Sequence, residues 1–195
     1  MSCRQLLSRA LPALCIAILV VPAAYAQRAD TSNARRWGVE ADLVQPFIPE
    51  VNIITIKATR TITGVPAAAH GDVMLGVFVR PNITHDVVTR ISEHMGSIGY
   101  RQYFRGGLHA EAQYLAGYVW GKRNLVDLKD YEGFVHFAEA NVGYRIPLGR
   151  GAGRRLYATP QIGFLQGLND ELVIGPRNGK ADAFVTGKLL VGFSF

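Results

Sequence analysis

A histidine and two carboxylates lie at a spacing that suits proton transfer. His109 and Glu111 are two residues apart, so on a β-strand they would point to the same side. Glu139 could approach them from a neighbouring strand. A histidine with a carboxylate and a serine activates a hydroxyl nucleophile in many hydrolases and acyltransferases. These residues would therefore support acyl transfer if a serine stood beside them.

The serine that this chemistry needs is absent at the matching spacing. His109 is followed by Ala110 and Glu111, and the second residue after His136 is Ala138. Metal binding by the same pair lacks a convincing third ligand. We therefore predict no catalytic, cofactor-binding or metal-binding residues, and interpret His109 and Glu111 as members of a polar core.

The first 26 residues have the pattern of a secretory signal peptide. Arg4 and Arg9 precede an apolar run at 10–21, and Ala24-x-Ala26 fits the small-residue rule of signal peptidase. The apolar run is too short for a stable membrane-spanning helix. We predict that residues 1–26 are removed on export and that residues 27–195 form a single domain.

Cysteine usage and charge exclude several classes of function. Both cysteines, Cys3 and Cys15, lie in the predicted signal peptide, so the mature chain would have no disulfide, cysteine-ligated metal or cysteine nucleophile. Removal of Arg4 and Arg9 lowers the formal net charge from +6 to +4. Without a long Lys/Arg run, this small excess predicts no nucleic-acid partner and suits loops that face anionic lipid headgroups.

The rest of the chain places apolar residues at every second position in short segments. In the last segment apolar residues recur at alternate positions from Ala183 to Phe195, with Lys188 and Ser194 between them. A period of two indicates a β-strand with one apolar face, and no segment is continuously apolar enough for a membrane-spanning helix. We predict eight such strands, near residues 37–43, 52–62, 73–79, 97–104, 108–120, 134–146, 156–166 and 183–195.

Proline and glycine mark the predicted connections. Pro81 is expected to end the third strand, and Pro160 to cause a bulge in the seventh, because proline cannot donate to a strand ladder. Residues 105–107 predict a tight turn. Two long polar loops, 82–95 and 167–182, could bind a surface partner on a rigid scaffold. The register of the fourth strand is the least defined, because Arg101 and Gln102 are adjacent.

A closed barrel in lipid accounts for the apolar faces. A soluble sheet with a long apolar edge strand tends to aggregate, whereas a closed barrel has no edge and lipid requires an apolar outer band. We therefore predict an all-β fold, an eight-stranded antiparallel transmembrane β-barrel with up-and-down topology. The alternative is a secreted soluble sandwich.

The inward positions of this barrel hold charges of both signs. An eight-stranded barrel is just wide enough to be filled by side chains, and unpaired charges inside it would be costly. We therefore expect a paired network that blocks the lumen. Its predicted members are Glu40, Asp42, Lys57, Arg101, His109, Glu111, Glu139, Arg145 and Lys188.

Several segments resemble small bacterial outer-membrane β-barrel proteins of the OmpA-like kind. They are the signal peptide, residues 99–104 (Gly-Tyr-Arg-Gln-Tyr-Phe), 107–111 and 141–145, and the ending Leu189-x-Val191-x-Phe193-x-Phe195. That ending resembles the C-terminal assembly signal of the family, with its terminal Phe. The resemblance implies a monomer in the cell outer membrane, with membrane lipids, lipopolysaccharide and the barrel assembly machinery as partners.

Many such barrels have no assigned activity, and a fold does not define a function. The expected function is a structural or surface-interaction role without enzymatic activity or a cofactor. Two alternatives stay open. Some barrels of this size resemble lipid A deacylases or acyltransferases, and others are small ligand-binding or ion-binding pores.

Overall fold

The computed structural model of the chain describes residues 37–49, 51–64, 69–83, 88–104, 107–124, 130–149, 155–168 and 183–195. The predicted signal peptide and its cleavage site lie outside these residues. So do residues 105–106 of the predicted tight turn and residues 169–182 of the last long loop.

The described residues form β-strands and one short 3-10 helix, Gln45–Phe47, between the first two strands. The strands are β1 (Trp37–Asp42), β2 (Ile54–Gly64), β3 (His70–Ile83), β4 (Val88–Tyr103), β5 (Leu108–Asn124), β6 (Tyr131–Tyr144), β7 (Ile146–Pro147), β8 (Leu156–Gly167) and β9 (Ala183–Ser194). Within the described ranges, no helix has both the length and the apolar character needed to cross a membrane.

The strands form one antiparallel sheet that closes on itself. Each strand from β1 to β6 pairs with the next, β6 pairs with β8, β8 with β9, and β9 with β1. The short strand β7 pairs with β8 just beyond the end of β6. The prediction of an all-β chain with antiparallel strands is confirmed, as one sheet that contains a ring of eight strands.

The ring closes where the first and last strands meet. In addition to the β1–β9 ladder, the Trp37 N–H donates to the Phe195 oxygen at 3.1 Å, and the Phe195 N–H donates to the Trp37 oxygen at 2.9 Å. We call this end of the ring the terminal end. The opposite end, which carries the connections after β1, β3, β5 and β8, is called the far end.

The two faces of the ring differ in chemical character. In β2, Ile54 and Ile56 point outward and are each 45% exposed, whereas Thr55 and Lys57 point inward and are 4% and 1% exposed. The same alternation recurs in the other long strands, except near the far end. Exposed apolar side chains on the outside include Val39, Leu75, Val77, Ile98, Leu108, Phe134, Val142, Ile162 and Phe193.

Strands near the far end are longer than predicted. β3 continues through Pro81 to Ile83 and β4 begins at Val88, so most of the predicted loop at 82–95 is strand. There the polarity is reversed, because Ile91 and Met95 are buried inside while the outward His94 is exposed. The segment therefore lacks the apolar outward face by which the other strands were predicted, and it was predicted to be a loop. The connection between the predicted strands at 108–120 and 134–146 is also shorter than expected, because β5 continues to Asn124 and β6 begins at Tyr131.

The predicted effects of the two prolines were wrong. β3 continues past Pro81, where it was expected to end, and its register against β4 shifts between Arg80 and Ile83. Pro160 lies opposite Leu189 in an unbroken β8–β9 register. On its other side the ladder lacks two successive pairs, 144 with 160 and 145 with 159, between the last β6–β8 pair and the first β7–β8 pair. A missing N–H at Pro160 is thus accommodated by a gap in pairing without a bulge.

Candidate functional site: a charged interior and an apolar cavity

Arg101 lies in the middle of the ring interior and holds two carboxylates. Its Nη1 and Nη2 donate to Oε1 and Oε2 of Glu40 at 2.6 and 2.8 Å, and its Nε donates to Oε2 of Glu111 at 2.8 Å. All three side chains are 0% exposed. A guanidinium that donates two hydrogen bonds to one carboxylate defines the orientation of the pair and also adds interaction energy. Arg101 therefore connects β1, β4 and β5 through the interior.

Lys57 supplies the second positive charge of this group, which then has no net charge. Its Nζ lies 2.6 Å from Oε1 of Glu111, and Nδ2 of Asn141 donates to the same oxygen at 3.4 Å. The cations Lys57 and Arg101 therefore face the carboxylates of Glu40 and Glu111. Because charges of both signs are in contact, much of the cost of removing them from water is offset. We call Glu40, Lys57, Arg101 and Glu111 the central ion network.

Two buried tyrosines and an arginine complete the packing toward the terminal end. The Tyr157 hydroxyl donates to Oε1 of Glu40 at 3.0 Å, and the Tyr103 oxygen accepts from Nη1 of Arg101 at 2.9 Å. Both tyrosines are 1% exposed. The guanidinium of Arg145 lies 3.6 Å from the centroid of the Tyr157 ring. Arg145 was predicted to join the charge network, and its contact here is with an aromatic face.

His109 is held by groups on both sides of its ring. With Nδ1 as the donor to the Gly107 oxygen at 3.3 Å, Nε2 accepts from Nε2 of Gln161 at 2.9 Å. The same Gln161 nitrogen donates to Oε2 of Glu111 at 3.0 Å. Gln161 therefore stands between the histidine and the carboxylate. This arrangement fixes a neutral imidazole in place and engages both of its nitrogens with groups other than a hydroxyl.

Glu139 and Lys188 form a second buried ion pair, farther from the terminal end. Glu139 is 3% exposed and Lys188 is 7% exposed. Glu139 also accepts from Nε2 of Gln113 and, at 3.2 Å, from the Thr186 hydroxyl. With one charge of each sign and additional donors to the carboxylate, this pair is neutral like the central network.

Asp42 lies apart from both groups of charges. It is buried at the end of β1, where its Oδ1 accepts from the backbone N–H groups of Val44 at 2.8 Å and Gln45 at 3.3 Å. A carboxylate that bonds the backbone two and three residues later stabilises a turn. Asp42, predicted as a network member, instead shapes the connection between β1 and β2.

Beyond the Glu139–Lys188 pair, the interior changes from polar to apolar. A cavity of about 440 Å³ lies there. Its buried apolar lining consists of Ile53, Phe78, Met95, Leu115, Val119, Val135 and Phe137. Sequence reasoning missed this cavity. The available signal was in β5, where Leu115 and Val119 interrupt an inward face that begins with His109 and Glu111.

Paired charges also lie on and near the rim of the far end. Nη1 of Arg80 lies 3.3 Å from Oε1 of Glu93, and both residues line the cavity. Exposed Lys122 and Asp130 form a 2.8 Å ion pair outside it. The hydrogen bond from Lys122 lowers the pKa of the Asp130 carboxyl below its ordinary value.

Comparison of the chain with protein-family models, with curated proteins and with solved structures found no match. Within the residues described above, no group of three or more His, Cys, Asp or Glu side chains is placed to hold a metal ion. What the chain does is therefore inferred from its own ring and interior.

Proposed function

We propose that this chain is an eight-stranded β-barrel of the bacterial outer membrane, with a structural or surface-interaction role and no enzymatic activity. The observation that carries the proposal is the inverted polarity of the ring. Outward Leu75 and Ile162 are 59% and 64% exposed, while inward Arg101 and Glu111 are 0% and 2% exposed. Water favours the opposite arrangement, whereas lipid favours an apolar exterior.

Aromatic side chains near both ends of the ring support a membrane location. Trp37 and Phe195 lie on the outside at the terminal end, 47% and 56% exposed. Toward the far end, the outward rings of Tyr118 and Trp120 lie 4.8 Å apart. Transmembrane barrels carry such aromatic girdles at the two water interfaces. Strands β2 and β9, of 11 and 12 residues, reach the length of about 9–11 residues that a tilted strand needs to cross.

In this proposal the terminal end faces the periplasm and the far end faces outward. The two longest strands, β4 and β5, then extend toward the outside at the far end. The connection at 169–182, which follows β8, belongs to the same end. Long extracellular loops and short periplasmic turns are typical of outer-membrane barrels. Lipids, lipopolysaccharide and the barrel assembly machinery are the proposed partners, and the chain is proposed to act as a monomer.

The interior favours a closed barrel over an ion pore or an enzyme. Side chains of the central ion network are 0–2% exposed, so they fill the interior between the terminal end and the cavity. A lipid A-modifying enzyme would need a histidine free to activate a nucleophile, whereas both ring nitrogens of His109 are engaged by Gly107 and Gln161.

The test is fractionation of expressing cells together with gel migration before and after heating. We expect the protein in the outer-membrane fraction, with faster migration of the unheated sample, because closed barrels resist detergent until heated. Recovery as a soluble periplasmic protein would overturn the proposal. The closed interior is checked separately in planar lipid bilayers, where steady channel conductance would contradict it.

A further inference from the structure

The far-end cavity has the composition of a binding site for an apolar molecule. Its volume of about 440 Å³ falls in the range of about 300–1,000 Å³ typical of small-molecule sites. Leu115, Val119 and Val135, each 1–3% exposed, form its wall. Water gains little in an apolar space, since it finds few hydrogen-bond partners there. The wall therefore favours a hydrocarbon occupant.

The polar groups at the cavity restrict the charge of that occupant. Lys188 is paired with Glu139, and Arg80 with Glu93, so the cavity lining has no net charge from these four residues. Gln45 also lines the cavity and is 7% exposed, and its Oε1 has no hydrogen-bond partner in the described part of the chain. An uncharged chain with a small donor at one end, such as a hydroxyl, would satisfy this oxygen.

Among the described strands, the ladder is incomplete beside the cavity. β1 pairs with β9 as far as Asp42 opposite Leu190, and the Leu43 N–H donates to the Leu189 oxygen at 3.0 Å. Beyond that point, the β9 ladder over 183–188 runs to β8 alone among the described strands. The connection between β1 and β2 crosses the opening. We call this opening the side gap.

One hydrogen bond near the geometric limit spans the side gap. Nε2 of Gln45 donates to the Gly187 oxygen at 3.5 Å. On the outside, Phe47 is 82% exposed and Val185 is 76% exposed. Ile48 and Val185 are exposed on the outer surface and also line the cavity, one on each side of the side gap.

We propose that the cavity binds a single hydrocarbon chain, which enters sideways through the side gap between β9 and the β1–β2 connection. The sideways route rests on the proposed membrane function, because only a bilayer presents such chains beside the gap. The chain belongs either to a free long-chain alcohol or to a membrane lipid. Its chemistry inside the cavity is the same in both cases.

Binding is tested with the purified full-length mature chain in detergent, titrated with the fluorescent long-chain alcohol parinaryl alcohol. Val135→Phe puts added volume into the cavity, whereas Val142→Phe makes the same change on the outward face of the same strand, at a side chain 54% exposed. We expect Val135→Phe to weaken binding about 10-fold or more and Val142→Phe to bind like the unmodified protein.

A second variant covers the case in which Val135→Phe does not fold. Leu165 lines the cavity and is only partly buried, so Leu165→Trp narrows the cavity with less strain on the core. The proposal is supported if the unmodified protein binds the probe saturably and at least one folded cavity variant binds it more weakly. Absence of saturable binding by the unmodified protein, or equal affinity in all variants, would overturn it.

The route is tested in phospholipid vesicles that carry the probe in the bilayer. A Cβ added at Gly187 meets no atom within 4 Å, so Gly187→Trp can place an indole at the side gap. Gly96 on β4 is equally open, and Gly96→Trp is the matched control. We expect slower probe uptake for Gly187→Trp alone. Equal uptake rates in both variants and the unmodified protein would exclude the sideways route.

Competition distinguishes the two sources of the chain. If hexadecanol displaces the probe and lysophosphatidylcholine does not, the bound molecule is a free chain. If both compounds displace the probe, the cavity also accepts the acyl chain of a membrane lipid. Displacement by neither compound contradicts a hydrocarbon site. The binding measured in detergent does not depend on where the protein resides in the cell, so failure of the outer-membrane proposal and failure of the binding site are separately visible.

Discussion

Arg101 and Glu40 form a two-point ion pair although they lie 61 residues apart in the chain. The pair joins β4 to β1, which are separated in the ring by β2 and β3. The side chains in the interior therefore connect strands that the backbone ladder does not, and the central ion network acts as a cross-brace of the ring.

Arg101→Met removes this brace and leaves two buried carboxylates with reduced compensation. We expect the free energy of unfolding to fall by about 3–5 kcal/mol, as when one partner of a buried ion pair is removed. The measurement is the urea midpoint of the refolded protein in vesicles. Arg60→Met is the control, because Arg60 lies exposed on the outside over the Trp37 ring at 4.9 Å. A midpoint for Arg101→Met equal to that of the control would contradict the brace.

Glu111→Gln and Glu139→Gln are expected to destabilise the protein more than His109→Ala. The glutamates compensate the charges of Lys57, Arg101 and Lys188, and their loss leaves those buried cations underpaired. His109 contributes hydrogen bonds as a neutral ring, so its removal costs only about 1–3 kcal/mol. Urea midpoints of the purified variants rank the three changes. A His109→Ala variant as unstable as the glutamate variants would argue against a neutral histidine.

The same His109→Ala variant separates a structural barrel from a lipid-modifying enzyme. We expect the acyl pattern of lipid A to be identical in cells that express the unmodified protein, the variant or neither. Mass spectrometry of extracted lipid A gives the comparison. A pattern that changes with the unmodified protein and returns to normal with His109→Ala would establish catalysis and refute the non-enzymatic proposal.

Gly192→Ala is expected to destabilise the ring because the Tyr157 ring packs directly over Gly192. A Cβ added there would lie 2.6 Å from the Tyr157 hydroxyl oxygen, which bonds Glu40. Overpacking of this kind costs about 1–3 kcal/mol. Gly187→Ala on the same strand meets no atom within 4 Å and should be neutral or gain about 0.5–1 kcal/mol. Unfolding midpoints that shift in the same direction for both changes would contradict the packing.

Deletion of Phe195 is expected to lower the amount of assembled protein while export continues. The residue contributes two backbone hydrogen bonds to Trp37 at the ring closure, at 3.1 and 2.9 Å, besides its aromatic side chain. Phe195→Ala keeps the backbone bonds and removes the ring, so comparison of the two variants separates closure from recognition of the side chain. Outer-membrane and periplasmic levels on immunoblots give the result. Unchanged outer-membrane levels in both variants would exclude a role for the terminal residue.

Alternation of polarity was sufficient to predict the strands that have an apolar outward face and a polar inward face. β2 and β5 were placed correctly because Ile54 and Thr55, or Leu108 and His109, differ strongly in polarity. Charge balance further suggested that Glu40, Lys57, Arg101 and Glu111 belong together. The contacts among them depend on register across several strands, which alternation alone does not fix.

The far end was poorly predicted because the rule reverses there. Once Ile91 and Met95 point inward and His94 points outward, the pattern no longer separates strand from polar loop. Tyr103 and Tyr157 were not predicted to bind the network, because its members were selected by charge and a tyrosine hydroxyl carries none. The role of Asp42 at a turn depends on backbone geometry that its position on β1 did not reveal.

Because the first strand pairs with the last, closure of the ring must be a late step of folding. Gly38 pairs with Ser194, so the ring cannot close until nearly the whole chain is available. Contacts between such distant residues carry a large loop-closure entropy and make folding slow. Every partly formed sheet meanwhile exposes two unpaired edges, which invite pairing with other chains. A chain of this topology is therefore exposed to strand pairing with other chains until the first and last strands have paired.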